Sequence, residues 1–281
     1  MIPANGEWAA ELDEVLELLA RAGGPDLRDY ARPPLRERAR EWASSMGVAE
    51  PREWASRLRG DREALRRLGD ALLVRATSLF RDPEVFHELG ASVVPALAAS
   101  LAPGLPLRAW SIGCASGEEA WSLGALLAER LPPGRPFDVL GTDLDADALE
   151  TAGSPTFDPA ALQAVPLSLR RAFQLRPDGR IEPAPALRQR VRFAQHDLVG
   201  MRLAPHEAVV GWFELVACRN VLLYLEPRLR QKALGRLAAI VRPGGALILG
   251  LEEGSVLDLA RAPFVPFPRT DPSLRIYARV G

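Results

Sequence analysis

The fold is decided by the stretch WSIGCASGEE at residues 110–119, where an apolar run leads into small residues and then into acids. The run from Leu107 to Ile112 predicts a buried strand, and Glu118 to Arg130 predicts a helix. A second apolar run, Val139 to Thr142, ends at Asp143, thirty positions beyond the first glycine of the stretch. A strand, a turn of small residues, a helix and an acid after the next strand form the layout of a nucleotide-type site on a parallel sheet.

The spacing of the small residues indicates which class of ligand this turn can hold. Gly113 and Gly117 give G-x-x-x-G rather than the G-x-G-x-x-G of a pyrophosphate cradle, which disfavours a nicotinamide-dependent oxidoreductase. Asp143 can accept hydrogen bonds from two ribose hydroxyls. A ligand with adenosine but no phosphates fits better, and S-adenosylmethionine is the obvious candidate. An ordinary tight turn between a strand and a helix in a ligand-free domain would show the same pattern.

Composition indicates a soluble globular protein of 281 residues, with 48% apolar and 25% charged residues. The formal net charge of −1 gives no basic field of the kind that marks nucleic-acid binders. The two cysteines, Cys114 and Cys218, lie in apolar contexts and are predicted to be reduced core thiols of a cytoplasmic protein. An apolar run of eighteen residues is absent, so we expect no membrane insertion.

The organisation of the chain changes near residue 106. Helical spacing dominates 7–81, with helices predicted from residue 7 and over 26–46, 50–59 and 61–76. Strands and helices then alternate, which predicts an α/β domain with a mostly parallel sheet covered on both faces. A proline-rich segment at 153–190, with a turn at Pro177-Asp178-Gly179, predicts a small inserted hairpin. Predicted strands are 107–112, 138–142, 191–195, 213–217, 245–250 and 273–279; predicted helices are 118–130, 145–152, 227–241 and 254–260.

Six short motifs then occur in a fixed order along the chain. They are Thr77–Asp82 followed by Phe86, Cys114–Glu119, Gly141–Asp145, Gln195–Leu198, Cys218–Tyr224 and Val241–Gly245. Together they resemble the CheR-type family, the chemotaxis-receptor glutamate methyltransferases, over nearly the whole chain. The resemblance implies a Rossmann-like S-adenosylmethionine-dependent methyltransferase fold at 86–281, with a small inserted β-subdomain at about 153–190. An N-terminal helical domain and linker would cover 1–85.

The resemblance also implies the chemistry and the partner. The chain would be a protein-glutamate O-methyltransferase that leaves S-adenosylhomocysteine and acts on the cytoplasmic domain of a chemoreceptor or receptor-like protein. In some members of the family, the inserted subdomain docks a receptor tail. A glutamate carboxylate is already ionised at pH 7, its reference pKa being about 4.3, so no general base is required. The histidines His87, His196 and His206 form no metal-binding spacing, and no metal is expected.

The family's functional positions are carried over residue by residue. Arg81 and Tyr224 are the catalytic candidates, with Arg81 orienting the incoming carboxylate and Tyr224 near the reactive methyl. Simpler roles stay open: an ion pair for Arg81, a core aromatic for Tyr224, a helix cap for Asp143, and for Glu118 an acid favoured by the helix dipole. The cofactor-binding candidates are Arg75, Thr77, Arg81, Gly113, Glu118, Asp143, Asp197, Leu198, Asn220 and Val221.

Several positions depart from the family pattern. Leu79 stands where the family has phenylalanine, Trp121 where it often has tyrosine, and Arg75 where it favours asparagine. Gly250-Leu251-Glu252-Glu253 replaces the usual Gly-His-Ser-Glu. These changes bear more on the substrate than on the cofactor. Two alternatives therefore remain, namely a carboxyl methyltransferase acting on a different protein or small molecule, and a non-catalytic S-adenosylmethionine-binding regulator.

Overall fold

The computed structural model describes residues 5–25, 27, 28, 30, 32–48, 51–72, 77–205, 211–255 and 262–281. The chain divides into two compact units. The first, the helical unit, comprises 1–74 and 224–229, and the second, the sheet unit, comprises 75–223 and 230–281. The predicted domain boundary after residue 85 stays a prediction, since a domain is defined by its ability to fold alone.

The helical unit contains α1 (Asn5–Arg21), α2 (Arg32–Ser45), α3 (Pro51–Leu58) and α4 (Arg62–Leu72). On α1, Leu12, Val15, Leu16 and Leu19 are buried and follow the i, i+3, i+4, i+7 spacing of one helix face. Helix α2 begins at Arg32 rather than at the predicted residue 26. Its first turn carries two prolines, which are tolerated there because the first N–H groups of a helix have no intrahelical partner.

The sheet unit is built on seven hydrogen-bonded strands in the order β5-β2-β1-β6-β7-β9-β8. The pairs from β5 to β7 are parallel, whereas β9 is antiparallel to both β7 and β8. The α/β fold with a mostly parallel sheet is therefore confirmed. The strands are β1 (Leu107–Ile112), β2 (Phe137–Asp143), β3 (Phe173–Leu175), β4 (Ile181–Pro183), β5 (Val191–Gln195), β6 (Phe213–Cys218), β7 (Val241–Leu249), β8 (Phe264–Pro266) and β9 (Ile276–Arg279).

Helices cover this sheet, and the first of them had no counterpart in the predictions. Residues 83–100 form α5 (Pro83–Glu88), a π-helical turn (Leu89–Val93) and α6 (Val94–Ser100), whose apolar side chains enter the main core. The remaining helices of this unit's fold are α7 (Glu118–Arg130), α8 (Ala146–Gly153), α9 (Pro185–Arg188) and α10 (Pro227–Ile240). Among the described residues, no helix has both the length and the apolar character that crossing a bilayer requires.

Three predicted boundaries at the end of the chain were wrong or untestable. Strand β7 begins at Val241 rather than 245, because Pro243 and Gly244 form an irregularity inside the strand, where the register with β6 shifts. Strand β9 begins at Ile276 rather than 273, since 272–274 form a 3-10 helix capped by Asp271. Of the predicted helix 254–260, residues 256–260 lie outside the described residues, and 251–255 form a 3-10 helix.

The inserted hairpin is confirmed. Strands β3 and β4 pair antiparallel as a separate two-stranded sheet, preceded by 3-10 helices at Pro159–Gln163 and Leu167–Ala172. In the turn, Gly179 has a φ of +81°, and the Arg180 N–H donates to Asp178 Oδ1 at 3.1 Å. This is the turn chemistry that the Pro-Asp-Gly sequence provides.

Candidate functional site

The predicted cofactor-binding residues that follow or end strands β1, β2, β5 and β6 lie at one edge of the sheet. Strands β5, β2, β1 and β6 are neighbours and parallel, so their carboxyl ends lie side by side. Asp143 ends β2, Gly113 follows β1, Asn220 follows β6, and Asp197 follows β5. In open α/β sheets, ligands bind outside the carboxyl ends of the strands. We call this region the carboxyl edge.

The turn after β1 holds its backbone in conformations that leave no room for larger side chains. Gly113 has a φ of +71°, and a Cβ atom there would lie 2.4 Å from Val221 Cγ2. Gly117 has a φ of +90°, and its Cβ would lie 2.8 Å from the Cβ of Ala152. Two successive N–H groups, those of Gly113 and Cys114, donate to the Thr142 carbonyl at 2.7 and 2.9 Å. Gly113 and Gly117 thus allow the turn after β1 to pack closely against Val221 and Ala152.

Asp143 is half-buried at the end of β2 and accepts backbone hydrogen bonds. The Ala115 N–H donates to Oδ2 at 2.7 Å, and the Asp145 N–H donates to Oδ1 at 3.0 Å. An ionised carboxylate has about four lone-pair sites, so these two bonds do not exhaust it. The helix cap is Asp145, whose Oδ1 accepts from the N–H groups of Asp147 and Ala148. Asp143 is therefore not the cap of α8.

Burial raises the pKa of two carboxyls at this edge. For Asp143, desolvation outweighs the backbone hydrogen bonds that lower its pKa. Glu118 opens α7 directly after Gly117, and desolvation likewise raises its pKa, although Ser116 Oγ donates to Oε2 at 2.8 Å. Two carboxylates whose charge is poorly solvated form a favourable environment for a cationic ligand.

The loop after β5 holds Asp197 and Leu198 by contacts from α10. Asp197 Oδ1 accepts from the Val199 N–H at 2.8 Å, and Leu198 is buried. Arg236 donates to the carbonyl oxygens of Leu198 at 3.0 Å and Arg202 at 2.6 Å, and also to that of Gly200. Arg236 was not predicted from the sequence. No local pattern in α10 indicates that one of its arginines binds three carbonyls of a distant loop.

A buried glutamate holds the loop that contains Asn220 and Val221. Glu253 is fully buried, and its Oε1 accepts from the N–H groups of Val221 at 2.9 Å and Leu222 at 2.7 Å. Its Oε2 accepts from the Gly250 N–H at 2.6 Å. Desolvation raises the pKa of Glu253 despite these bonds. Asn220 has a φ of 58°. Glu253 had one available signal, since it occupies the final glutamate of the altered Gly-His-Ser-Glu motif.

The segment with Thr77 and Arg81 adopts a strained backbone. Phe80 and Asp82, on either side of Arg81, have φ values of 52° and 57°. This left-handed conformation costs a residue such as phenylalanine about 1–2 kcal/mol, and aspartate tolerates it better. The Arg81 side chain is exposed, whereas Thr77 is partly exposed. Arg75 lies outside the described residues.

Tyr224 is the last residue of a 3-10 helix, Leu222–Tyr224, and belongs to the helical unit. There the guanidinium carbon of Arg38 lies 5.3 Å from the centroid of its ring. This distance is within the range of a cation–π contact. The contact described for Tyr224 is therefore one within the helical unit, and its catalytic role stays a prediction.

Comparison with known sequences identifies most of the chain. The model of a family described as "CheR methyltransferase, SAM binding domain" matches residues 75–261. This range begins with the Thr77–Asp82 segment and extends over all four strands of the carboxyl edge.

Three curated relatives differ in how much of their length is matched. The Pseudomonas aeruginosa protein named chemotaxis protein methyltransferase 1 is 32% identical over 217 residues, which are 74% of this chain and 76% of that protein. The Pseudomonas putida protein named probable biofilm formation methyltransferase WspC is 31% identical over 83% of this chain and 54% of that protein. An uncharacterized 104.1 kDa protein of Rhodobacter capsulatus is 32% identical over 89% of this chain, which spans only 26% of that protein.

Proposed function

The chain belongs to the CheR methyltransferase family, and we propose that it methylates glutamate side chains of a chemoreceptor-like protein with S-adenosylmethionine. The observation that carries the proposal is the carboxyl edge, where an acid after β2 and the glycines after β1 stand beside the loops after β5 and β6. The partner would be the cytoplasmic domain of a receptor, and the reaction would take place in the cytoplasm.

The residues of the carboxyl edge suit the proposed cofactor. Asp143 retains acceptor capacity for ribose hydroxyls, and Glu118 offers a carboxylate to an ammonium group. The close approach of Gly113 to Val221 brings the loops after β1 and β6 together at this edge. Asp197, Leu198 and Asn220 would complete the site, together with Thr77 and Arg75. When bound, S-adenosylmethionine supplies a methyl group on a positively charged sulfur, and S-adenosylhomocysteine is the product.

The residues of this chain then have to orient and shield a substrate that is already a nucleophile. A glutamate carboxylate is ionised at neutral pH, so the site requires no base. We assign Arg81 to orient the carboxylate by a bidentate contact, which a guanidinium makes better than any other side chain. We assign Tyr224 to a position near the transferred methyl. Exclusion of water and accurate orientation are the main contributions of the protein to such a displacement.

A second candidate keeps the chemistry and changes the substrate. The likeness to a relative named for biofilm formation, and the altered positions Leu79 and Leu251, favour a receptor-like protein of another pathway or a different carboxylate. A cofactor-binding regulator without turnover is the third candidate.

The test incubates the purified protein with methyl-labelled S-adenosylmethionine and with separated membrane and soluble fractions of its own cells. Base-labile label, collected as volatile methanol, on a membrane protein supports the proposal. Label in the soluble fraction favours the second candidate. Absence of label in a sample that binds the cofactor by calorimetry favours the regulator.

Arg81→Ala is the matching variant. We expect transfer to fall by about 10²–10³-fold, the usual effect of removing one charge-orienting donor, while cofactor affinity changes much less. The control is Arg135→Ala, because Arg135 donates to the carbonyls of Ala102 and Leu105 in the turn before β1, at the opposite edge of the sheet. Equal loss of transfer in both variants would contradict the role of Arg81.

A further inference from the structure

Arg219, the residue that follows β6, connects the sheet to the segment that carries Arg81. Its side chain is only 4% exposed. Nη1 donates to Glu119 Oε2 at 3.1 Å, and Nη2 donates to the Arg81 carbonyl oxygen at 3.0 Å and to the carboxylate of Asp82. One buried guanidinium therefore binds α7 on one side and two consecutive residues of the loop on the other.

The α7 side of this connection is anchored in the sheet. Glu119 Oε1 accepts from Ser111 Oγ at 2.7 Å, and Ser111 is a fully buried residue of β1. The guanidinium carbon of Arg219 also lies 5.8 Å from the centroid of the Phe86 ring, on α5. Because β1 and α7 are central elements of the core, Arg219 has a fixed support.

The loop side needs such support, since its backbone is strained. Phe80 and Asp82 are both in the left-handed region, and residues of this kind persist where the surroundings over-determine them. The Phe80 N–H donates to Ser122 Oγ at 2.9 Å, and its ring packs edge-on against Phe86 with centroids 5.1 Å apart. Ser122 holds one side of Arg81 and Arg219 holds the other, while the Arg81 side chain itself is exposed.

We propose that Arg219 is the positioning residue for Arg81. It fixes the Arg81 carbonyl and the Asp82 carboxylate, so that the Arg81 guanidinium is presented to the substrate carboxylate in one orientation. The inference rests on the proposed function for the chemical role of Arg81. Arg219 acts through the loop and not on the substrate, because its side chain is only 4% exposed and its two Nη atoms already donate to Glu119, the Arg81 carbonyl and Asp82.

The test compares two Arg→Lys variants in the full chain. Arg219→Lys keeps the charge but loses the planar fork that reaches two partners at once. The control is Arg108→Lys, because Arg108 pairs with the buried Glu214 at 3.5 Å near the amino ends of β1 and β6. We expect kcat to fall by about 10²-fold in Arg219→Lys, the cost of a misplaced catalytic group, with the dissociation constant of the cofactor nearly unchanged. Arg108→Lys should leave kcat unchanged.

Hydrogen exchange supplies a readout that does not depend on activity. The amide hydrogens of Phe80 and Val85 should exchange faster in Arg219→Lys than in the wild type, and at the wild-type rate in Arg108→Lys. If Arg219→Lys does not fold, Asp82→Asn tests the same contact, since asparagine tolerates the left-handed conformation. Equal kcat in the two arginine variants, or unchanged exchange around Arg81, would overturn the proposal. A wild type that transfers no methyl group refutes the proposed function, yet the exchange measurement still decides whether Arg219 holds the loop.

Discussion

The two edges of the same sheet differ in which residues adopt the left-handed conformation in their turns. At the amino edge, where strands begin, the left-handed turn positions include Gly104 before β1 and Gly134 before β2. A Cβ atom at each of these would meet nothing within 4 Å. These turns are open to solvent, and glycine is present there only because it adopts a positive φ without steric cost.

At the carboxyl edge the left-handed positions include residues with side chains. Ala115 and Asn220 have φ values of 46° and 58°, and Phe80 and Asp82 beside Arg81 are similar. Where glycine does occur, as at Gly113, a Cβ atom would collide with a neighbouring side chain. The left-handed conformation costs residues such as Ala115 and Phe80 about 1–2 kcal/mol each, whereas Asn and Asp tolerate it better.

At the carboxyl edge, left-handed residues with side chains therefore lie beside the predicted cofactor-binding residues, whereas the turns before β1 and β2 have glycines with open surroundings at such positions. Backbone strain persists where surrounding contacts over-determine it, and it is enriched at functional sites. Here Glu253 holds the Asn220 loop, and Arg219 holds the Phe80–Asp82 loop. The strained loops of the carboxyl edge therefore carry a cost in stability that the open glycine turns before β1 and β2 do not.

The largest effect should come from substitution of Asp143, the aspartate that ends β2. Asp143→Ala removes the proposed acceptor of two ribose hydroxyls. Hydrogen bonds to a charged group contribute about 1.5–3 kcal/mol each, so the cofactor dissociation constant should rise by about 10²–10⁴-fold in calorimetry.

Asp138→Ala is the control for that substitution. Asp138 is half-exposed, and its carboxylate lies 3.7 Å from Nη2 of Arg192. An ion pair of this kind contributes at most about 1 kcal/mol to stability. Asp138→Ala should leave cofactor affinity unchanged. Similar losses of affinity in the two variants would show that the two ends of β2 do not differ in cofactor binding.

A pair of glycine substitutions distinguishes the cost of a left-handed backbone from the cost of a steric clash by the new Cβ atom. Gly113 and Gly134 have similar φ values, 71° and 79°, so replacement by alanine imposes a similar backbone cost of about 1–2 kcal/mol at both. Only at Gly113 does the new Cβ meet another atom, 2.4 Å away at Val221 Cγ2. Overpacking adds about 1–3 kcal/mol, so Gly113→Ala should lower the free energy of unfolding by more than Gly134→Ala in denaturant titrations. Equal losses of unfolding free energy in the two variants would mean that the Val221 side chain moves away from the new Cβ atom at no measurable cost.

The same contrast explains what the sequence could predict. Strand β1 and helix α7 have the predicted bounds, 107–112 and 118–130, because a buried apolar run and a helical period are local signals. The acid after β2 and the glycines after β1 were likewise readable from spacing. The predicted arrangement of site residues at the carboxyl ends of the strands follows from parallel topology alone.

The contacts of the supporting residues could not be predicted, because their partners are distant in the chain. Arg219 is 138 positions from Arg81, whose carbonyl it binds, and Glu253 is 32 positions from Val221. The apolar spacing of 83–100 was readable but was not assigned, whereas the left-handed Phe80 and Asp82 carry no local signature. Tertiary contacts determine these positions, and local sequence patterns do not reveal which distant groups will meet.

The smallest effect tests whether the carboxyl edge is unfavourable electrostatically as well as sterically. Burial raises the pKa of Glu118, Asp143 and Glu253 above their ordinary values of 4.5, 3.8 and 4.5. Between the ordinary and the raised values, the folded protein binds more protons than the unfolded chain. The free energy of unfolding should therefore be larger below the ordinary values and should decrease as the pH rises through the raised ones.

A cationic cofactor reverses the sign of this dependence, because it favours the ionised carboxylates. Cofactor affinity should therefore increase with pH across the same window, by at most about tenfold per pH unit for each coupled proton, and binding should release protons. Calorimetry in two buffers of different ionisation enthalpy measures that release directly. Glu118→Gln removes one of the three carboxyls, so it should release fewer protons and flatten both pH profiles. If the variant and the wild type release the same number of protons, Glu118 does not face the cofactor. The proton release would then come from Asp143 and Glu253.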